Sequence, residues 1–580
     1  MQLLVFQKGS RTKILAALLL CTMALFVARL FYLQIIMHDE YVRQSAAEQV
    51  KPLAIPAKRG LVYALDGSTP VPLVINQTVY TLFADPMTVT EPEKVLDVIR
   101  RVSGVKLRPN LDKLLDIKDS RYQILGTKLS RRQAEEIKKE KLNGIGFQAI
   151  SERVYPEGSL AAQTLGFVNG EGLGQYGIEE YYNGRLTGKD GLLKSVTDVS
   201  GVPLTIGKQN VNKPAKDGDN VVLTIDRNIQ SYTEKALASG IKKAGATDGS
   251  VIVIDPQSGK VMAMANLPTY NPANFGAAKS AAVFNNPIID APYEPGSDIK
   301  TFTVAMGLDK GVITPKSTYF NKDYIDVDDW TIRNATLGHT GNITIQTALD
   351  FSLNTGMVTI AERLGDGSYI NSRARNIMYD YFHNHFGFGK LTGIELPNEQ
   401  PGIIIPPTDV QGNAVRYSNM SFGQGMDLTM VQVASAFSAL VNGGVYYPPT
   451  IYEGVIKDDG TLAQAPAKTP RTGIISQKSS AMAHKMIHDA RARFYSSVDK
   501  AGYDVGGKTG TSQTLENGRY IDNQTVATYL GYGGDTMPRY VIMVQVSGKG
   551  KNLQGNKHAL PIFTDISNWL IDYLKLQPKK

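Results

Sequence analysis

The stretch Ile14 to Ile36, ILAALLLCTMALFVARLFYLQII, carries a single charge, Arg29. An apolar run of about 20 residues matches a hydrocarbon core of about 30 Å, and this one is too long and too poorly marked for a cleaved signal peptide. Everything after it must therefore fold as a body tethered at one end. Lys8, Arg11 and Lys13 precede the run, and His38, Asp39 and Glu40 follow it. The positive-inside rule then leaves residues 1–12 in the cytoplasm, threads 13–36 through the membrane and exports the rest. Arg29, near the outer end, can extend its guanidinium to the interface. The competing expectation is a buried hairpin of a soluble domain.

The only cysteine, Cys21, sits inside that run, so the exported part has no thiol and no disulfide. A chain of 580 residues is long enough for more than one core and can hold together by packing alone. Its net charge of +8 is mild and its basic residues are scattered. That suits an anionic membrane or wall surface and gives no basic face for nucleic acid.

Residues 51–72 are rich in turn formers, and mixed short segments continue to about Val211. The polar break KQNVNKPAKDGDN, Lys208 to Asn220, reads as an interdomain connection, so the expected domains are 37–215 and 216–580. Beyond it, VVLTI and a polar helix lead to GSVIVID, the turn DPQSGK and VMAMAN, a β-hairpin. After Pro295-Gly296, the spacing of Ile299, Phe302 and Met306 predicts an amphipathic, buried helix capped near Gly311, with Ser297 in its first turn. A second helix, TIQTALDF, stops at Ser352-Leu353-Asn354, and a third starts near Met357. TVATYLGYGG and RYVIMVQVSG read as strands before the helix TDISNWLIDYLK. The fold class is α+β, an antiparallel sheet flanked by helices, behind a mixed α/β domain and one membrane helix.

Ser297 begins a Ser-x-x-Lys pattern with Lys300, but so do Ser10, Ser103, Ser239 and Ser497 with their own lysines. Gly502 to Thr509 also fits a P-loop, yet Gly510, a polar turn through Glu516-Asn517-Gly518 and a strand follow it, where a phosphate site needs a helix. His383 with His385 and His484 with His488 are the only close histidine pairs. Without the Glu of a zinc helix they read as a solvated helix face, so no metal and no cofactor is expected.

What singles out Ser297 is the ordered trio Ser297-x-x-Lys300, Ser352-Leu353-Asn354 and Lys508-Thr509-Gly510, on a helix start, a loop and a strand. One helical turn lets the Lys300 amine reach the Ser297 hydroxyl. Burial and a second cation, Lys508, would lower the lysine's proton affinity so that it acts as a base. The backbone N–H groups of Ser297 and Thr511 can face a developing oxyanion. Ser352 can relay a proton to a leaving amine, Asn354 can hold a substrate amide, and Lys508 with Thr509, beside Gly510 and Thr511, can bind a terminal carboxylate.

With this trio the sequence resembles the class B penicillin-binding proteins, monofunctional peptidoglycan D,D-transpeptidases, the division (septal) type more than the elongation type. The membrane exit Arg29-Leu-Phe-Tyr-Leu-Gln34 is similar to theirs, as are Arg153 to Gly158, Ala161-Ala162, Leu165 to Asn169, Gly177 to Glu179 and Leu186 to Gly188. So are Leu223 to Asp226 with Gln230, and Phe422 to Gly425. The chain departs from the family at Ala64-Leu65, where Asp-Arg is usual, and has Leu353 inside the second motif.

The resemblance implies a non-catalytic pedestal, then a transpeptidase domain in which Ser297 attacks the penultimate D-Ala of a D-Ala-D-Ala stem peptide on lipid-linked precursor polymer. It also implies acylation by β-lactams, a polytopic glycan polymerase as partner, and recruitment by division or elongation proteins. A D,D-carboxypeptidase, a β-lactamase and a β-lactam sensor or silent scaffold are the alternatives. No glycosyltransferase domain and no appended wall-binding repeats are expected.

Overall fold

The computed structural model of the chain describes residues 8–42, 50–102, 104–196, 211–516 and 519–579. It falls into two compact units, Met1–Arg59 with Thr187–Gly218, and Gly60–Leu186 with Asp219–Lys580.

In the first unit the apolar run forms the helix Lys8–Phe31 and a closing turn Tyr32–Ile36. From Arg11 to Ile36 it is long and apolar enough to cross a membrane, and its apolar side chains are exposed, unlike those of a buried hairpin. The Arg29 guanidinium lies 5.4 Å over the Tyr32 ring. The strands Val50–Ile55, Gly191–Val196 and Val211–Lys213 form a small antiparallel sheet.

The second unit contains two large sheets. The first has eight strands and draws on both halves of the chain. Val62–Asp66, Thr69–Ala84, Lys106–Leu107, Gln123–Leu129 and Ile145–Val154 are joined by Asn220–Asp226, Tyr452–Ile456 and Leu462–Gln464. The seam is parallel, with Val221 beside Val62 and Val222 beside Tyr63. The VVLTI strand thus lies here and not in the sheet that carries the hairpin. Its run Val221 to Ile225 is buried on both faces, the pattern of a central strand. Asp226 ends it and ties three segments together. Its carboxylate caps the helix Arg227–Ala244 through Asn228 and Ile229, accepts from Gly67 N at 3.0 Å, and accepts from Tyr573 OH at 3.0 Å.

The second sheet is antiparallel throughout, in the order Val261–Leu267, Asp248–Ile254, Pro538–Ser547, Arg519–Gly534, Asp504–Glu516. Alternation sorts its residues. Val251 and Val253 face the core shared with Leu237 and Phe563, while Ile252 and Ile254 face the core shared with Phe437 and Met306. Helices therefore cover both faces, and the strand Asp504–Glu516 is left at the edge. It contains the P-loop-like residues from Asp504 onward, so the helix a nucleotide would need is replaced by strand. Residues 517 and 518, expected in the following turn, lie outside the described residues.

Candidate active site

Pro295 and Gly296 break the chain, and Gly296 has φ +59°. Ser297 follows in the turn Gly296–Ile299, which runs into the helix Lys300–Asp309, with Gly311 at φ +69° closing the far end. The sequence reads as an amphipathic, buried helix, and every residue from Lys300 to Leu308 is buried. Other elements pack around its whole circumference: the Phe302 ring centroid lies 5.1 Å from both Phe386 and Phe388, and Thr303 Oγ1 donates to Ser421 O at 2.7 Å. Ser297 is half-buried at the end of this fixed helix.

The three motifs meet at one hydroxyl. Lys300 Nζ donates to Ser352 O at 2.5 Å and to Ser352 Oγ at 3.1 Å, and Lys508 Nζ donates to the same Oγ at 2.9 Å. Lys508 Nζ also reaches Thr509 O at 3.0 Å and Thr509 Oγ1 at 3.3 Å. The Lys300 amine, expected at Ser297, is directed here at Ser352. Ser352 adopts φ +57°, a left-handed backbone uncommon outside glycine. Its own N–H donates to Leu349 O and that of Leu353 to Ala348 O, while buried Leu353 anchors the loop from below. Strain held in place at such a point is a recurrent feature of functional sites.

Burial holds the Lys300 amine well below the ordinary lysine range, and the neighbouring Lys508 cation adds to that effect. An amine that sheds its proton easily can accept one from a hydroxyl. Lys508 is also pulled down by burial, but Asp298 opposes the shift.

Asn354 starts the helix Asn354–Arg363, ahead of the expected start near Met357, and its Nδ2 donates to Arg333 O at 2.9 Å. Thr509 is half-buried, Gly510 buried and Thr511 exposed on the edge strand. The backbones of Gly296 and Thr511 are in close approach. A Cβ on Gly296 would lie 2.9 Å from Thr511 O and 3.4 Å from Thr511 N, so only glycine fits there. On the other side Gly296 N donates to Gly423 O at 2.9 Å. The Ser297 turn is clamped between the edge strand and the Phe422 to Gly425 loop.

Sequence reasoning passed over Glu294, Asp298 and Thr528. Glu294 accepts from Gly425 N at 2.7 Å and from Tyr520 OH at 3.1 Å, joining that loop to the strand Arg519–Gly534. Asp298 accepts from Thr528 Oγ1 at 2.7 Å. The x positions of Ser-x-x-Lys look interchangeable in a sequence, and only the pairing of Thr528 with Gly510 brings a partner to Asp298.

The histidines are not on a solvated face. His484 and His488 are half-buried on the helix Gln477–Tyr495 and both pair with Asp504 at 3.1 Å. His383 and His385 bond the carbonyls of Phe388 and Ile474 and stack on Tyr379 and Tyr381. Among the described residues no group of three His, Cys, Asp or Glu side chains is arranged to hold a metal. Ser239 and Ser497 are exposed, Lys500 pairs with Asp572, and Ser103 lies outside the described residues.

Two family models match this chain. Residues 54–223 match the penicillin-binding protein dimerisation domain and residues 249–568 the penicillin binding protein transpeptidase domain. Stage V sporulation protein D of Bacillus subtilis is 29% identical over 560 residues, covering 95% of this chain and 84% of the relative. The probable peptidoglycan D,D-transpeptidase PenA of Neisseria gonorrhoeae is 28% identical over 561 residues, covering 96% and 91%. The peptidoglycan D,D-transpeptidase FtsI of Buchnera aphidicola is 26% identical over 572 residues, covering 97% and 95%. The crystal structure of penicillin binding protein 2X from Streptococcus thermophilus shares the fold, with a TM-score of 0.74, 23% identity and coverage of 90% and 80%. The chain belongs to the penicillin-binding protein transpeptidase family, and the dimerisation domain ahead of the transpeptidase domain makes it a class B penicillin-binding protein.

Proposed function

We propose that Ser297 is the nucleophile with which this class B penicillin-binding protein, a peptidoglycan D,D-transpeptidase, cross-links cell-wall stem peptides. The observation that carries the assignment is the convergence on Ser352 of Lys508 and of Lys300, which itself lies one helical turn from a half-buried Ser297.

Neutral Lys300 takes the Ser297 proton, and Oγ attacks the penultimate D-Ala carbonyl of the donor stem. The N–H groups of Ser297 and Thr511, on adjacent backbones, hold the oxyanion. Ser352 passes the proton to the leaving D-Ala amine. Lys508 and Thr509 hold the terminal carboxylate, Gly510 lets the strand approach, and Asn354 holds a substrate amide. An amine on a neighbouring strand then takes the acyl group and frees Ser297. β-Lactams stop at the acyl-enzyme.

The domain reading is a cytoplasmic tail 1–12, a membrane helix 13–36, a pedestal 37–215 and a catalytic domain 216–580, with the bulk outside the cytoplasmic membrane. A polytopic glycan polymerase supplies the lipid-linked polymer strands, and division proteins recruit the enzyme to the septum. The membrane exit Leu33-Gln34 supports the septal role, in keeping with FtsI among the relatives.

Labelling of the full chain with fluorescent penicillin, followed by peptide mapping, tests the assignment. The label is expected on Ser297 and absent from Ser297→Ala. Labelling that survives the substitution overturns it. With lipid-linked precursor, cross-linked dimer is expected, and free D-Ala without dimer would make the enzyme a carboxypeptidase.

A further inference from the structure

Asp298, next to the proposed nucleophile, is fully buried. Its Oδ2 accepts from Thr528 Oγ1, while its Oδ1, equally buried, has no hydrogen-bond partner among the described residues. Thr528 stands opposite Gly510, and the carboxyl occupies the space left by the missing side chain. A Cβ on Gly510 would lie 2.9 Å from Asp298 Oδ2 and 2.1 Å from Thr528 Oγ1. Lys508 and Gly510 are two residues apart on one strand, so they present to the same face, and both are buried. A carboxyl is thus enclosed against the face that carries Lys508.

The site therefore buries two amines and one carboxyl. An isolated buried charge is expensive, so the proton distribution is settled by which charges compensate. Among the described residues Lys300 has only the uncharged groups of Ser352 as hydrogen-bond partners. Apart from Lys508, the titratable group facing Asp298 among the described residues is Tyr293, whose buried hydroxyl has no hydrogen-bond partner among them. From the helix packed against the same strand, His484 and His488 face Asp504 at its opening end.

We propose that Asp298 is the counter-charge of Lys508, so that Lys508 keeps its proton for the substrate carboxylate and Lys300 is the lysine left to act as base. The proposal rests on the Ser297 assignment and deepens it. Asp298 is a positioning residue, acting through Lys508. The mutual influence of the pair has the required sign. Burial raises the Asp298 carboxyl to about 7 against the opposing pull of the Thr528 hydroxyl and then of Lys508, burial lowers Lys508 to about 8 against the opposing pull of Asp298, and Lys300 is lowered by both burial and Lys508.

The test is the pH dependence of acylation of the full chain by fluorescent penicillin, comparing wild type with Asp298→Asn, which retains an acceptor for Thr528, and with the smaller Asp298→Ser. Removing the anion weakens the hold of Lys508 on its proton. The alkaline limb of the profile should move to lower pH by about one unit, a tenfold change in that affinity, in either variant, while the acid limb set by Lys300 moves far less. Folded variants with an unmoved alkaline limb would overturn the proposal, and failure of both to fold would make Asp298 structural and equally overturn it. If wild type is not labelled, or Ser297→Ala still is, the fault lies with the nucleophile assignment instead.

Discussion

Replacing Gly296 by alanine should separate the geometry of the site from the stability of the protein. At φ +59° the left-handed backbone alone costs an L-residue about 1 kcal/mol. The new Cβ would also lie 2.9 Å from Thr511 O and 3.2 Å from Thr511 C, and backbone atoms cannot swing aside as a flexible side chain would. Retreat is blocked as well, because a Cβ on Gly423 would already lie only 1.9 Å from Gly296 O across the other side of the turn. Restoring ordinary contact requires the turn and the edge strand to part by roughly 0.5 Å. Overpacking of this kind adds about 1–3 kcal/mol, for a total of about 2–4 kcal/mol.

The displacement falls between Ser297 and Thr511, where the oxyanion is proposed to sit. Since a misplacement of about 1 Å can lower a rate about 100-fold, acylation by fluorescent penicillin should slow by about tenfold or more. Gly311→Ala is the control. Its φ of +69° imposes a similar backbone penalty, but an added Cβ would meet nothing within 4 Å among the described residues. It should lose about 1 kcal/mol on denaturant unfolding and acylate at the wild-type rate. A Gly296→Ala protein that acylates as fast as wild type, or a Gly311→Ala protein equally slowed, would refute the reasoning.

Two further outcomes follow from other parts of the molecule. Arg491 is fully buried, with Asp499 on its Nε and Nη2 at 2.9 and 2.6 Å and Thr564 at 3.0 Å, so Asp499→Ala should cost about 3–5 kcal/mol of stability by denaturant unfolding. A loss within about 0.5 kcal/mol, the range of ordinary surface changes, would contradict it. Deleting residues 1–36 should move the protein from the membrane to the soluble fraction with its penicillin acylation rate unchanged, and retention in the membrane would mean that another segment binds lipid.

The apolar run was legible because a bilayer dictates length and leaves little choice of residue. The Asp248–Ile254 and Val261–Leu267 hairpin was legible because a turn separates two runs of strand formers. The trio of motifs was legible through order and setting, and the structure brings Lys300, Ser352 and Lys508 together as that order implies. What stayed hidden depends on partners distant in the chain. A histidine pair on one helix face looks solvated until Asp504 is seen on the neighbouring strand. The Lys300–Asp309 helix reads as buried from the spacing of Ile299, Phe302 and Met306, while the burial of Thr301, Thr303 and Gly307 on its other positions depends on elements packed around it from elsewhere in the chain. Asp298 reads as filler because its meaning lies in the missing side chain of Gly510.

The seam where Val221 and Val222 run beside Val62 and Tyr63 makes the polar break before Asn220 a poor place to cut. A fragment beginning there would expose the edge of a central strand, with its unpaired backbone groups and a row of buried valines, and would be prone to aggregate. The same ladder is a weld instead of a hinge. A force applied to the strands of residues 62–84 is transmitted through the Gly67–Asp226 hydrogen bond to the helix Arg227–Ala244 that packs on the second sheet.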